Sequence, residues 1–158
     1  MKLDPRHKTE RLGEHIPGFQ GYRSVRRGQT DLLLRRYLAA ELEKVRDRLA
    51  DFIFGRETGG ELHGKLAATL KTLAFLKAEI STGDDDTGSS AELSPEGEER
   101  ILDFDLVLLE KIAGLHTPLE EMEWARAPAA IERNLDLLDE GVAEIDELYR
   151  QRRSLLRG

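Results

Sequence analysis

The chain has 158 residues, of which 39% are hydrophobic, 35% charged and only 6% aromatic. A chain of this length fits one domain and is large enough to bury a sizeable core. It contains no cysteine, so disulfides, zinc–thiolate sites and a cysteine nucleophile are excluded. Its longest apolar runs are far shorter than the roughly 18 residues of a membrane span, and its charged start is unlike an export signal. We therefore expect a cytoplasmic protein with no membrane span.

The formal net charge of −7 is distributed unevenly along the chain. Residues 1–36 carry nine basic and four acidic side chains, and residues 150–158 carry four basic side chains and no acidic one. The segment 37–149 between them has 11 basic and 27 acidic side chains. Because charge blocks influence association before they indicate a function, we expect the basic ends to pack against the acidic body.

The N-terminal residues contain many helix breakers, namely Pro5, Gly13, Pro17, Gly18 and Gly21. Glycine and proline at this density are typical of turns and loops rather than regular structure. We predict a mobile arm over residues 1–15 and a turn-rich hook over 16–29. The apolar Ile16, Phe19 and Tyr22 of the hook are expected to cover one end of the core.

Four longer segments repeat apolar residues every three or four positions, the spacing of one helix face. In the first of them these residues are Leu38, Leu42, Val45, Leu49 and Phe52. Nothing alternates with period two, so no strand is predicted. The pattern predicts four helices and a short fifth one, over residues 30–54, 61–80, 98–114, 118–126 and 128–153.

The acidic segment 81–97 has almost no apolar residue. Burial of so little apolar surface could not offset the entropy lost on ordering. We predict a disordered loop that links the second and third of the long helices.

These elements favour an all-α protein of one domain, residues 1–158, built as an elongated antiparallel four-helix bundle. Pro118 is expected to break the third helix, because its ring collides with the carbonyl group four residues earlier. The alternative is a three-helix, spectrin-like rod in which the third helix continues through Pro118 with a kink. Asp105 is the one polar residue on the apolar face of that helix. If it is buried, it needs a partner such as an arginine from another helix.

Three patterns associated with chemistry each lack a required residue. Residues 59–66 match the glycine and lysine positions of a phosphate-binding loop, but Leu66 stands where a hydroxyl must bind Mg²⁺. None of the four histidines follows a glutamate by three residues, as in the metal sites of helix bundles. No serine lies in a glycine-flanked nucleophile elbow. We therefore predict no catalytic residue, no metal site and no cofactor.

Arginines at three- and four-residue spacing, together with two aromatic residues, make a candidate interaction surface near the N-terminus: Phe19, Tyr22, Arg23, Arg26, Arg27, Arg35 and Arg36. Such a stripe could bind phosphates, but the acidic body should repel nucleic acid. We expect Tyr22, Tyr37 and Trp124 to be core or half-buried packing residues rather than a recognition surface.

The stretch Ile16-Pro17-Gly18-Phe19-Gln20-Gly21-Tyr22, followed by Asp31, Leu34-Arg35 and a long charged helix, resembles the opening of some small bacterial helical proteins. The resemblance covers about residues 16–50. It implies a bacterial, cytosolic, non-enzymatic protein and carries no specific activity.

Three functions are compatible with these patterns. The first is a non-enzymatic interaction or adaptor protein that binds a protein partner or self-associates, because apolar helix faces are abundant and each catalytic pattern is incomplete. The second is a small helical enzyme or ligand-binding protein with a site between helices. The third is an anion or nucleic-acid binder that uses the N-terminal arginines.

Overall fold

The computed structural model describes residues 4–23, 27–82 and 93–157. These ranges contain no strand, so the all-α class predicted from the sequence is confirmed. Their helices are α1 (Pro5–His15), α2 (Arg27–Gly55), α3 (Gly60–Ser81), α4 (Pro95–Gly114), α5 (His116–Trp124) and α6 (Pro128–Arg157).

The predicted mobile arm is wrong, because residues 5–15 form helix α1. The Asp4 side chain caps this helix by accepting a hydrogen bond of 2.9 Å from the His7 N–H, and proline occupies the first turn. Proline is favourable there, since its missing N–H would have no partner in a helix. Leu12 is fully buried, and α1 packs against α4, where Lys8 Nζ lies 3.1 Å from Glu99 Oε1 and 2.7 Å from Asp103 Oδ1.

The hook that follows α1 turns inward at two glycines. Gly18 and Gly21 have φ angles of +88° and +83°, in the left-handed region that glycine adopts without strain. Ile16, Phe19 and Tyr22 are thereby buried in the core, with at most 7% of each residue exposed. The prediction that these three residues cover one end of the core is confirmed.

Helices α4 and α5 are separated by one residue, Leu115, which keeps helical dihedral angles (φ −64°, ψ −23°). Pro118 has no N–H to donate to the carbonyl group of Gly114, so the helical hydrogen bonds are interrupted there. Both helices pack against α6. The Leu115 side chain lies close to the α6 backbone at Gly141, since a Cβ atom added at Gly141 would lie 2.7 Å from Leu115 Cδ2.

Helices α2 and α6 each pack against α3, α4 and α5. Within the described ranges the backbones of α2 and α6 do not approach one another, so only side chains can join them across the middle. Helices α3 and α6 run in the same direction: Lys65 near the start of α3 contacts Glu132 near the start of α6, and Glu79 near the end contacts Arg150, with 3.7 Å between Oε1 and Nε.

Most of the predicted acidic loop, residues 83–92, lies outside the described residues. At its edges the loop prediction is wrong, because α3 continues through Ser81 and α4 already begins at Pro95. The Ser94 side chain accepts a hydrogen bond of 2.9 Å from the Gly97 N–H and so caps α4. The helix begins at Pro95, three residues before the predicted start.

Candidate functional site

Five polar side chains meet in the core near the start of α2. We call them the polar cluster, and they are Tyr22, Asp31, Arg35, Asp105 and Arg152. Each is at most 4% exposed. They come from the hook, α2, α4 and α6, so the cluster joins four separate segments of the chain.

Arg152 of α6 is the centre of the polar cluster. Its Nε donates to Asp105 Oδ1 at 2.5 Å, and its Nη2 lies 2.7 Å from Asp31 Oδ1 and 2.8 Å from the Tyr22 hydroxyl oxygen. The Tyr22 hydroxyl in turn donates to Asp105 Oδ2. The sequence-based expectation that a buried Asp105 needs an arginine from another helix is therefore confirmed.

Arg35 extends the cluster to the end of α3. Its Nε donates to Asp31 Oδ2 at 2.9 Å, and its Nη1 lies 3.3 Å from the carbonyl oxygens of Ile80 and Ser81. Carbonyl groups in the last turn of a helix have no partner within the helix and carry partial negative charge. The guanidinium of Arg35 therefore satisfies groups that would otherwise lack donors.

The polar cluster is formally neutral, with two carboxylates and two guanidinium groups. Burial raises the pKa of Asp105 to about 6, although Arg152 acts in the opposite direction. Burial also raises the pKa of the Tyr22 hydroxyl well above its usual value, so this hydroxyl stays a neutral donor. Burial lowers the pKa of Arg152, but attraction to Asp105, Tyr22 and Asp31 outweighs it and leaves this pKa well above its usual value.

This cluster suits a structural role. Its ionisable groups contact one another and are almost inaccessible to solvent, so a substrate could reach them only if the hook moved away. A backbone hydrogen bond also attaches the hook to α4, since the Tyr22 N–H donates to Glu98 Oε2 at 2.8 Å.

The residues of the predicted interaction surface do not form one surface. Arg23 and Arg36 are exposed, and Arg26 lies outside the described residues. The other members are at most 9% exposed: Phe19, Tyr22, Arg27 and Arg35. The prediction is wrong for these four because the hook covers the start of α2, where the helix face that carries Arg35 points into the polar cluster.

The opposite end of the molecule presents two large exposed aromatic side chains. Phe54, near the end of α2, is 91% exposed, and Trp124, the last residue of α5, is 79% exposed. Arg56 holds these helix ends together by donating to the backbone oxygens of Glu123, at 2.8 Å, and Ala125. We call Phe54 and Trp124 the aromatic end.

The expectation that Trp124 packs in the core is wrong. In α5 the buried positions are Leu119 and Met122, three residues apart on one helix face. Trp124 follows Met122 by two residues, which at about 100° per residue places it on the opposite side of the helix. The other two aromatic residues of that expectation behave as predicted, since Tyr22 is buried and Tyr37 is partly buried against the core.

Two of the recesses on the surface of the described part of the chain are lined in part by α3. One, of about 410 Å³, is beside the aromatic end and is lined by Arg56, Leu62, Arg126 and Ile131 among others. The other is an open groove of about 590 Å³ between α3 and α6. The glycine–lysine motif of residues 59–66 forms the start of α3 rather than a phosphate loop, and a Cβ at any of its three glycines would meet nothing within 4 Å.

Neither a metal site among the described residues nor similarity to known proteins indicates an activity for this chain. The described residues contain no group of three or more histidine, aspartate or glutamate side chains placed to hold a metal ion. Across the same residues, no helix combines the length and apolar character needed to cross a membrane. Comparisons of the chain with protein-family models, curated proteins and solved structures gave no match.

Proposed function

We propose that this chain is a non-catalytic protein-interaction module of the adaptor type, and that it presents the aromatic end to a protein partner. In this proposal α2, α3, the α4–α5 pair and α6 are the four columns of an elongated four-helix bundle, with the aromatic end at one tip. The observations that carry the proposal are the exposure of Phe54 and Trp124 and the hydrogen bonds by which Arg56 joins the backbones near these two residues.

Aromatic side chains of this size supply much of the energy of protein interfaces. Each buries about 150–250 Å² when it is covered, and tryptophan is enriched among residues whose truncation costs at least about 2 kcal/mol of binding. The backbone that carries them is already held in place by the hydrogen bonds of Arg56. Binding would therefore order little additional backbone, which favours affinity.

The surroundings of the aromatic end indicate the charge of the partner. Asp51 precedes Phe54 by three residues, and Glu120 and Glu121 precede Trp124 by four and three, so these exposed carboxylates lie next to the aromatic rings on their helices. Arg126 is the exposed basic residue nearest to Trp124 along the chain. A partner with an apolar pocket and a basic rim complements this surface.

A second copy of the chain fits the aromatic end less well. A twofold contact places the same patch on both subunits. It would bring the acidic residues around one aromatic end against those of the other, and like charges oppose such a contact. We therefore propose a different protein as the partner.

Site-specific photocrosslinking tests this proposal. A benzophenone amino acid placed at Phe54 should form adducts in the source cell with a discrete partner. The same group at Leu137, which is 52% exposed on α6, is the control and should not form them. Equal adducts at both positions, or adducts only with a second copy of the chain, would contradict the proposal.

Titration calorimetry with the purified partner completes the test. The double variant Phe54→Ser/Trp124→Ser should bind about 1000-fold more weakly, since two lost contacts of about 2 kcal/mol each weaken binding by about 4 kcal/mol. Leu137→Ser should bind within about twofold of the unaltered chain. An affinity unchanged in the double variant would overturn the proposal.

A further inference from the structure

We infer that the groove between α3 and α6 is a second docking surface, and that its occupant is an amphipathic helix of a partner protein with basic side chains along its flanks. This groove lies along the side of α3 and α6, away from the aromatic end. The inference does not depend on what binds at Phe54 and Trp124.

The dimensions of the groove match a helix of moderate length. Its lining on α3 extends from Lys65 to Glu79, and on α6 from Leu135 to Arg150. At about 1.5 Å per residue this is roughly 20 Å, or about four helical turns. Because α3 and α6 run side by side in the same direction, the groove between them is continuous over that length.

The groove offers apolar contact area that the fold leaves uncovered. Phe75 projects at its wall and is 65% exposed. The buried Leu76 and Val142 contribute to its lining, and the small exposed side chains of Ala68 and Ala143 leave room for a close approach. Amphipathic helices bind such grooves through apolar residues spaced three and four positions apart.

The charges of the groove specify a basic occupant. Its acidic residues are Glu79, Asp136, Asp139 and Asp146, and its basic residues are Lys65 and Arg150. Both basic residues are already engaged, Lys65 with Glu132, and Arg150 with Asp146 at 3.2 Å. Asp136 and Asp139 are exposed along the groove, where they can meet lysine or arginine side chains of an incoming helix.

The Asp146 side chain is a second observation that favours a basic occupant. Its Oδ1 is buried and has no hydrogen-bond partner among the described residues. Burial, followed by a hydrogen bond with Asp146, raises the pKa of the neighbouring Glu79, although Arg150 and Arg153 act in the opposite direction. A raised pKa is expected where two carboxyl groups lie close together. A cation delivered by a partner would supply the missing donor.

Fluorescence anisotropy with two designed peptides tests the inference. The first probe is a fluorescein-labelled peptide of about four to five helical turns with leucine and alanine on one face and lysine and arginine on the flanks. The second has glutamate at every flanking position. We expect the basic peptide to bind at least about tenfold more tightly than the acidic one, and its affinity to fall as salt is raised.

Variants locate the binding site of the basic peptide. Phe75→Ser and Asp136→Lys/Asp139→Lys should each weaken its binding about tenfold or more. Leu137→Ser and Phe54→Ser/Trp124→Ser should leave it within about twofold, and circular dichroism checks that every variant is folded. Lack of binding by either peptide, equal binding of both, or insensitivity to the groove variants would overturn the inference while leaving the aromatic end untouched.

Discussion

The two ends of this molecule treat polar and aromatic side chains in opposite ways. At the closed end, formed by α1, the hook and the polar cluster, charged residues are buried and the aromatic Phe19 and Tyr22 are covered. At the aromatic end, Phe54 and Trp124 project into solvent while Arg56 holds the backbone together. The closed end therefore stabilises the fold, whereas the aromatic end offers a surface.

The reason for the difference is the amount of chain at each end. At the closed end the hook, α2, α4 and α6 meet, and side chains from these segments pair with one another and offset the desolvation of the buried charges. Among the described residues, two short connections lie at the aromatic end, α2 to α3 and α5 to α6. They leave Phe54 and Trp124 exposed. In this molecule, charged side chains are buried where several segments meet, and aromatic rings are exposed at the end where fewer segments meet.

Removal of the central arginine should have the largest effect on the closed end. Arg152→Ala leaves Asp105 without its cation and Asp31 with only Arg35, and truncation of one member of a buried ion pair typically costs about 3–5 kcal/mol. Urea unfolding followed by circular dichroism measures the change. Arg133, exposed on the same helix, is the matched control, and Arg133→Ala should cost no more than about 0.5 kcal/mol. Similar losses in the two variants would contradict the role given to the polar cluster.

The pH dependence of stability should show the titration of Asp105 in the polar cluster. Burial raises the pKa of Asp105 to about 6, above the value of about 4 in an unfolded chain. The folded state then binds the proton more tightly. This contribution to stability is complete below about pH 4 and is lost as the pH rises through about 6.

Asp105→Asn removes this titration and gives the comparison. Between about pH 4 and pH 7 the free energy of unfolding of the unaltered chain should fall, relative to that of the variant, by up to about 3 kcal/mol. Urea unfolding of both proteins across that range measures the difference. Parallel pH profiles would show that Asp105 does not titrate as its surroundings predict.

The smallest change in the free energy of unfolding is expected at the aromatic end. Phe54→Ser/Trp124→Ser removes side chains that contact little in the folded state, so the free energy of unfolding should change by no more than about 0.5 kcal/mol per site. By contrast, Phe52 is 7% exposed, and Phe52→Ala should cost about 3–5 kcal/mol. Thermal and urea unfolding compare the two. A large loss in the double variant would mean that the aromatic end is part of the core.

Local patterns in the sequence predict the helices and much of the core. Three- and four-residue spacing identified residues such as Leu38 and Leu42, which are fully buried, because a helix face is a local property of the chain. Ser94-Pro95, a capping residue followed by proline, is a local signal for the beginning of α4, three residues before the predicted start. Asp4-Pro5 is the same kind of signal for α1, although Pro5 and Gly13 as helix breakers predict irregular structure there.

Contacts in the folded chain decide which side chains serve as partners and which remain uncovered. The sequence indicated that a buried Asp105 would need an arginine, but it did not single out Arg152, 47 residues away. Spacing along one helix likewise could not reveal that Arg35 binds the end of α3, or that Trp124 is 79% exposed. These outcomes depend on contacts between distant segments, and helical periodicity describes only the faces within each segment.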